Sequence, residues 1–523
     1  MATGRSIAEI VSVEPIIGME VHVELATRTK MFTRAPSPAH PEFHDAGPNT
    51  LTDGVVLALP GTLPVMNRAA VEMAALVGLA LGCSIAPLSR WDRKSYFYPD
   101  LPKGYQISQY DLPLCFDGVF DLPATDAQGR IDPAGQTRRI GIIRAHLEED
   151  AGKLLHEAPG GGAIDFSIVD LNRAGTPLLE IVTAPDFRSA DETVAFARLL
   201  RQTCRFLGVT EGVMQRGHVR FEPNINCLLT LRDGRTVRTP IVEVKNLNSF
   251  RALHGAITHE LVEQPRRWAA DGREHGPGEK TTRGWDADRE ATYVQREKED
   301  AEDYRYFPDP DLPPVAVGEA WVARLRAGLP ELPLARARRY CESYGLSPAE
   351  ASQLVEEREV CEFLDAAADG AVERGVARER AGRLAAGLVL QRGARLANER
   401  AVLVSRLGVS PEQAAAIVAM RDGGDLGSNA ADDLFEALCD PADAGADPRT
   451  LAESRGWLTV RDDAALDEWC ERAIAENPQA AADVRAGKQA AIGRLVGAVM
   501  KASGGAADAK AARERLLEKL GGG

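Results

Sequence analysis

Gly18-Met-Glu-Val-His-Val-Glu-Leu25 alternates apolar and polar residues at almost every step. Successive side chains of a strand project to opposite faces. Read as a strand, Met19, Val21, Val23 and Leu25 therefore form an apolar face, while Glu20, His22 and Glu24 share the other. The apolar face predicts core. The polar face is equally satisfied by an edge strand wetted on one side or by a site that needs two carboxylates and an imidazole in a row.

Outward from this stretch the first 315 or so residues continue in short β-like runs broken by Pro, Gly and Asp: RRIGIIRAHL, FSIVDL, LLEIV and CLLTLRDGRTVRTPIVEV, whose central Asp-Gly marks a hairpin. Helices are predicted at Ala69–Leu81 and at Ala190–Phe206, and the longest apolar run, Met73–Cys83, is too short for a bilayer and reads as buried helix. This is an α+β pattern, largely antiparallel. Beyond DPDLPPV the chain turns to Ala-rich helices, with capping boxes at Ser347 (SPAE) and Ser410 (SPEQ). Ile492, Leu495, Val496, Val499 and Met500 recur at helical spacing, and KASGG closes that helix. The triple Gly160–Gly162 reads as a turn.

A chain of 523 residues with 44% apolar and 27% charged residues is a soluble, multidomain type. Its start lacks a secretory signal, and its eight cysteines are scattered without a CxxC pair, so a cytoplasmic, reducing location is expected and a disulfide framework is not. A net charge of -15 disfavours a polyanionic partner overall, yet from Val484 to Gly523 eight basic residues face three acidic ones, a local +5. All nine histidines precede residue 276, so imidazole chemistry belongs to the N-terminal part.

Within that part, three strands carry conspicuous carboxylates. Glu180 in LLEIV is flanked by large aliphatics, and a buried, unpaired carboxylate costs several kcal/mol, so a cation should answer it. HLEEDAGK, His146–Lys153, ends a buried strand and places His146 and Glu148 on one face and Glu149 on the other, provided the strand continues that far. Glu20, Glu149 and Glu180 would form an oxygen-rich cage suited to magnesium, with His22 as a ligand or an orienting group; dispersed surface carboxylates are the alternative. RKSYFYPDLPKGYQISQYDLP interleaves Arg93, Lys94 and Lys103 with Tyr96, Phe97, Tyr98 and Tyr105, which suits phosphates and bases as well as ordinary sheet. DLNRAGTP and EVKNLNSF offer Asn and Lys donors at strand ends, with Ser249 a fair helix cap. No Walker A or GxGxxG sequence is present.

Taken in order, GMEVHVEL, LPGTLPVMN, DRKSYFYPDLPKGYQISQYD, IGIIRAHLEEDAGK, VDLNRAGTPLLEIVTAPDFRS, EVKNLNSF, REKEDAEDYRYFPDPDLPPV and GKQAAIGRLVGAVMKASGG resemble the B-subunit family of the tRNA-dependent amidotransferases, GatB of GatCAB complexes, over nearly the whole chain. The resemblance implies a cradle domain at 1–315, a helical linker at 316–408 and a helical tail at 409–523 that grips tRNA. It implies an ATP- and Mg2+-dependent ligase that phosphorylates the side-chain carboxylate of Glu or Asp on a misacylated tRNA(Gln) or tRNA(Asn). Ammonia released from glutamine by an amidase-type A subunit then displaces phosphate, in a heterotrimer with a small C subunit. Carried onto this sequence, the metal site falls on Glu20, His22, Glu149 and Glu180, with catalysis by Glu149, Glu180 and His22. ATP and the acceptor end fall on Lys94, Lys103, Asn172 and Lys245, and the tRNA body on Arg485, Lys488, Arg494 and Lys501. A noncatalytic tRNA-binding scaffold and a metal-dependent hydrolase are the competing readings.

Two departures stand out. Many family members carry a zinc-binding cysteine cluster in the segment that here reads MFTRAPSPAHPEFHDAGPNTLTDGVVLALPG. It has no cysteine in this chain, and His40 and His44 alone do not make a tetrahedral site, so no zinc is expected. Where many members have a Cys-Asp pair, this chain has Phe221 and Glu222.

Overall fold

A computed structural model describes residues 7–125, 131–158, 161–297, 304–459, 463–486, 488–504, 507 and 509–521. Gly160 of the expected Gly160–Gly162 turn and residues 298–303 of the REKEDAED stretch lie outside them; Gly161 and Gly162 both have positive φ. Contacts divide the chain into two units, Met1–Ala335 and Arg336–Gly523.

The first unit is organised by one large sheet. Its principal strands are β1 (Ile10–Glu24), β2 (Asp92–Ser95), β3 (Tyr105–Ser108), β4 (Cys115–Pro123), β5 (Thr137–Glu149), β6 (Pro177–Thr183), β7 (Val219–Leu231), β8 (Val242–Lys245), β9 (Thr281–Asp286) and β10 (Ala291–Glu297). They run in the order β10-β9-β8-β7-β1-β6-β5-β3-β2, with β4 along β5. Pairing is antiparallel except between β8 and β9. β1, which contains GMEVHVEL, is hydrogen-bonded on both sides, to β6 and to β7, so the edge-strand reading does not hold.

One face of the sheet is core. Met19, Val21 and Val23 of β1, Leu179 and Ile181 of β6, Ala145 and Leu147 of β5, and Phe221 and Ile225 of β7 are buried against three helices: α1 (Arg68–Ala80), α2 (Ala190–Phe206) and α3 (Phe250–Asp271). Each helix starts where a side chain satisfies its free N–H groups. Asn67 accepts from Ala69, Ser189 from Glu192 and Ser249 from Ala252. Asn246, in the left-handed conformation at φ 63°, ends β8 and begins the turn into α3, a conformation Asn tolerates better than most residues.

A register shift between Val182 and Thr183, set against Arg144 and Ile142, changes which residues of β5 face the core. Ile140 and Ile142 are buried before it, Ala145 and Leu147 after it. β5 then runs to Glu149 without interruption, so alternation holds through HLEE.

The second unit is helical. Both capping boxes form, at Ser347 on Pro348–Leu354 and at Ser410 on Pro411–Asp422. Near the C-terminus, Ile492, Leu495 and Val499 of the helix Ile492–Ala502 are buried with Leu466, Cys470 and Leu516. Val496 and Met500 flank that cluster. No helix among the described residues is long and apolar enough to cross a membrane.

A candidate metal and phosphoryl-transfer cleft

The other face of the sheet is polar and lines a cleft of about 510 Å3. Antiparallel register sets its residues in a row across five strands. Glu20 lies opposite Glu222, His22 opposite both Arg220 and Glu180, and Glu180 opposite His146, while Glu148 is paired with Ser108 of β3. His22 is the hub: its Nε2 lies 3.5 Å from Glu20, 3.6 Å from Glu180 and 3.9 Å from Glu148, and its Nδ1 lies 4.0 Å from Glu222. His146 Nε2 approaches Glu180 from the far side at 3.6 Å.

Four carboxylates around one imidazole repel one another, and like charges directly opposed on a sheet are unfavourable. Burial, reinforced by the charge of Glu180, pushes Glu20 up to about 7. Burial and Glu180 do the same to Glu148, also to about 7. Burial alone would lower His22, but its hydrogen bond to Glu180 and the charges of Glu222 and Glu20 raise it to about 9. Burial lowers His146 to about 4 and so keeps it neutral. Against its own burial, Glu180 is held well below the carboxylate range by His146 and by the hydrogen bond and charge of His22. Orphaned buried atoms remain in this cluster: His22 Nδ1, His146 Nδ1 and Glu148 Oε2 have no hydrogen-bond partner. Such a set of donors fits a hard divalent cation, which would displace the protons held there and occupy free carboxylate oxygens.

Cations rim the cleft. Lys245 bonds Glu222 at 2.5 Å and lies 3.3 Å from Glu243. Lys94 lies 4.9 Å over the ring of Tyr304, and Tyr110 stacks on Tyr306 at 4.1 Å. Arg220 bonds Asp150 at 2.7 Å, and Arg173 lies 3.7 Å from the same carboxylate oxygen. Burial would raise Asp150, but Arg173 and Arg220 bring it down to about 2. Glu24 is no wetted flank of its strand: it is buried beside Asp150, and burial with that neighbouring charge raises it to about 8.

Of the metal-site residues expected from sequence, Glu20, His22 and Glu180 converge. Glu149 does not join them. It is one step out of phase on β5, lies on the opposite face, and there pairs with Lys103 and accepts from Ile107 N–H at 3.0 Å. Glu148 is the glutamate of that pair which faces His22. Of the four expected ATP and acceptor-end residues, Lys94 and Lys245 line the cleft. Lys103 is engaged with Glu149. Asn172 is buried in a loop, accepting from Leu51 N–H at 2.8 Å and donating to Gly47 O at 2.7 Å. Phe221 is core, packed 5.9 Å from Phe250, whereas Glu222 faces the cleft. Arg220, Glu243 and Asp150 were missed by sequence reasoning, although alternation in VRFEP and VEVK was available to place the first two beside Glu222 and Lys245. In the second unit Arg485, Lys488, Arg494 and Lys501 are all exposed, with Lys488 bonded to Asp483 at 3.0 Å. Arg494 and Lys501, two turns apart, share one face of their helix.

Residues 15–323 match the family model of the GatB/GatE catalytic domain, and residues 371–520 match that of the GatB domain. The chain is 46% identical to the B subunit of an aspartyl/glutamyl-tRNA(Asn/Gln) amidotransferase from Thermomicrobium roseum, covering 97% of this chain and 98% of the relative. It is 41% identical to the protein of the same name from Rhodopirellula baltica, with 97% of each covered. For that from Variovorax paradoxus the identity is 42%, over 97% and 99%.

Proposed function

The chain belongs to the GatB/GatE family of amidotransferase B subunits, and from that premise we propose that its sheet cleft activates the side-chain carboxylate of Glu or Asp carried by a misacylated tRNA, using ATP. The observation that carries the reading is the crowding of Glu20, Glu148, Glu180 and Glu222 around His22, because carboxylates this close ionise together readily only when a metal cation joins them. Glu20, Glu148, Glu180 and His22 would hold Mg2+, which when bound offsets charge on the transferring phosphoryl group.

The residues themselves have the following roles. Lys94 and Lys245 sit at the rim as point charges for phosphate oxygens, and the tyrosine wall of Tyr110 and Tyr306 borders the space for a planar base or an aminoacyl end. Phosphoryl transfer needs in-line positioning and charge neutralisation more than covalent help, which suits a cleft lined by carboxylates and cations. The γ-phosphoryl passes to a carboxylate oxygen of the aminoacyl group and ADP leaves. Ammonia then attacks the acyl carbon, and phosphate departs with the oxygen. A carboxylate lacks a good leaving group; an acyl phosphate has one. Ammonia comes from an amidase-type A subunit in a heterotrimer with a small C subunit, in the cytoplasm. The exposed Arg485, Lys488, Arg494 and Lys501 of the 409–523 tail contact the tRNA body, in a chain that also has a 1–315 cradle and a 316–408 linker.

The reconstituted complex is expected to release phosphate from ATP only when Glu-tRNA(Gln) or Asp-tRNA(Asn) is present. Absence of tRNA-stimulated release would leave the noncatalytic scaffold. Release without tRNA would mean that water is the nucleophile and the protein a hydrolase.

Mg2+ binding by the isolated chain should strengthen with pH. In the metal-free protein Glu20 and Glu148 keep their protons to about 7, above the unfolded value near 4.5, so their contribution to stability fades as pH rises through that window. A cation must displace those protons and the one that His22 keeps to about 9, so affinity falls by about tenfold per pH unit for each ligand still protonated. Calorimetric titration at pH 6 and pH 8 measures this; equal affinities at both would place the cation elsewhere.

A further inference from the structure

A second group of donors lies outside the cleft, where the loop after β1 folds back over the chain entering β7. His44 closes the short helical turn Pro41–Phe43. Its Nε2 faces the carbonyl of Ala39 at 3.4 Å, and its Nδ1 faces Glu211 Oε2 at 3.4 Å. The ring of His218 lies 5.0 Å away, centroid to centroid. His218 is only 3% exposed, and its Nδ1 is buried without a hydrogen-bond partner. One donor atom from each of the three residues lies within 4.8 Å of the other two.

The group is rigidly held. Gly217, at φ 82°, turns the chain in a conformation that favours glycine, and His218 then donates its N–H to Val213 O at 3.2 Å and accepts from Glu24 N–H at 2.9 Å. His44 is anchored by its neighbours as well: Asp45 pairs with Arg216 at 3.3 Å, and the loop is tied further on through Gly47 and Asn172. Asp45 is thereby occupied and stays out of the donor set.

We propose that His44, Glu211 and His218 bind a divalent transition ion of the zinc class, which staples the 37–47 loop to the strand that delivers Arg220 and Glu222 to the cleft. Two imidazoles and one carboxylate are the ligand set of zinc rather than of magnesium, which takes oxygen. Bonds of about 2.0 Å in a tetrahedron put neighbouring donors about 3.3 Å apart, a spacing His44 and Glu211 already have. The Ala39 carbonyl fixes the His44 ring with Nδ1 free to coordinate, as partners of metal-bound histidines do. The Glu211 side chain is 41% exposed, which leaves the fourth position to water. The expectation of no zinc counted only His40 and His44, whereas the fold brings in two more donors from beyond α2.

Co2+ titration of the full-length chain, stripped of metal by a chelator, tests the proposal through the visible absorption that imidazole-bound Co2+ gives in a low-coordinate site. With the cleft filled by excess Mg2+, one equivalent should bind with that absorption and be displaced by Zn2+. His40→Ala, whose ring caps the N–H of Glu42 instead, should bind as wild type does. His44→Ala should abolish the signal, and Glu211→Gln, at an exposed position, should weaken binding by at least about tenfold without disturbing the fold. Saturation and spectrum unchanged in both His44→Ala and Glu211→Gln, or no one-to-one binding by the wild type, would overturn it.

Discussion

Glu180→Gln and Glu148→Gln are each expected to lower tRNA-stimulated phosphate release by about 100- to 1,000-fold in the reconstituted complex. The glutaminase turnover of the amidase-type partner should persist in both. Glu180 is placed between two imidazoles, His22 and His146, each 3.6 Å from the same carboxylate oxygen. An amide there removes the negative charge that raises His22 and would help hold the cation. Glu148 offers an unpaired buried oxygen to the same space. Glu149→Gln is the control with the opposite expectation: on the far face it loses part of its pairing with Lys103 while an amide oxygen still accepts from Ile107, so activity should stay within about tenfold of wild type. If Glu149→Gln were the damaging change and Glu148→Gln the mild one, the assignment of faces on β5 would be wrong. Loss of glutaminase together with phosphate release would mean that these residues hold the assembly rather than the chemistry.

The largest effect on stability is expected from Asp150→Asn. Asp150 carries the charge that answers Arg220 and Arg173 in a buried setting, and its backbone is pinned at 2.9 Å to both Thr176 and Gly175. Removing the charge leaves Arg220 half-buried and incompletely paired, at a cost of about 2 kcal/mol, which urea unfolding should register as a lower midpoint at neutral pH. Its folded value, about 2, lies below the unfolded one, so this contribution is complete above pH 4 and is lost as pH falls through 2. The difference between wild type and Asp150→Asn should therefore shrink in acid. Glu24→Gln, beside Asp150, serves as the contrast: Glu24 holds its proton to about 8, so at pH 7 the amide replaces a group that is already neutral, and the midpoint should barely move. A large loss in Glu24→Gln and none in Asp150→Asn would reverse the charge assignment of the pair.

Much of the cleft was legible because the signal of a strand is local. GMEVHVEL needs no partner to declare that Glu20 and His22 share a face, and the same period in LLEIV and VEVK points Glu180 and Lys245 the same way. What alternation does not carry is phase across strands. Glu148 and Glu149 are adjacent and chemically identical, and only the register of β5 against β6, with its shift near Thr183, assigns one to each side. Lys103 and Asn172 look like phosphate donors in sequence for the same reason that they are loop residues. In the fold they are consumed by Glu149 and by the backbone at Gly47 and Leu51.

The α+β division, the helical C-terminal half with its two capping boxes, and the polar face of β1 follow from patterns a few residues long, since propensity, capping and alternation act between near neighbours. Whether that polar face is wet or enclosed was decided only by tertiary structure, because it depends on how many strands flank β1 and on what they carry. Two neighbours on each side turn a row of isolated carboxylates into one cluster around His22. The same long-range packing brings His218 and Glu211 to His44, a meeting that no local pattern encodes, since coordination depends on distance in space and the chain between these residues sets none by itself.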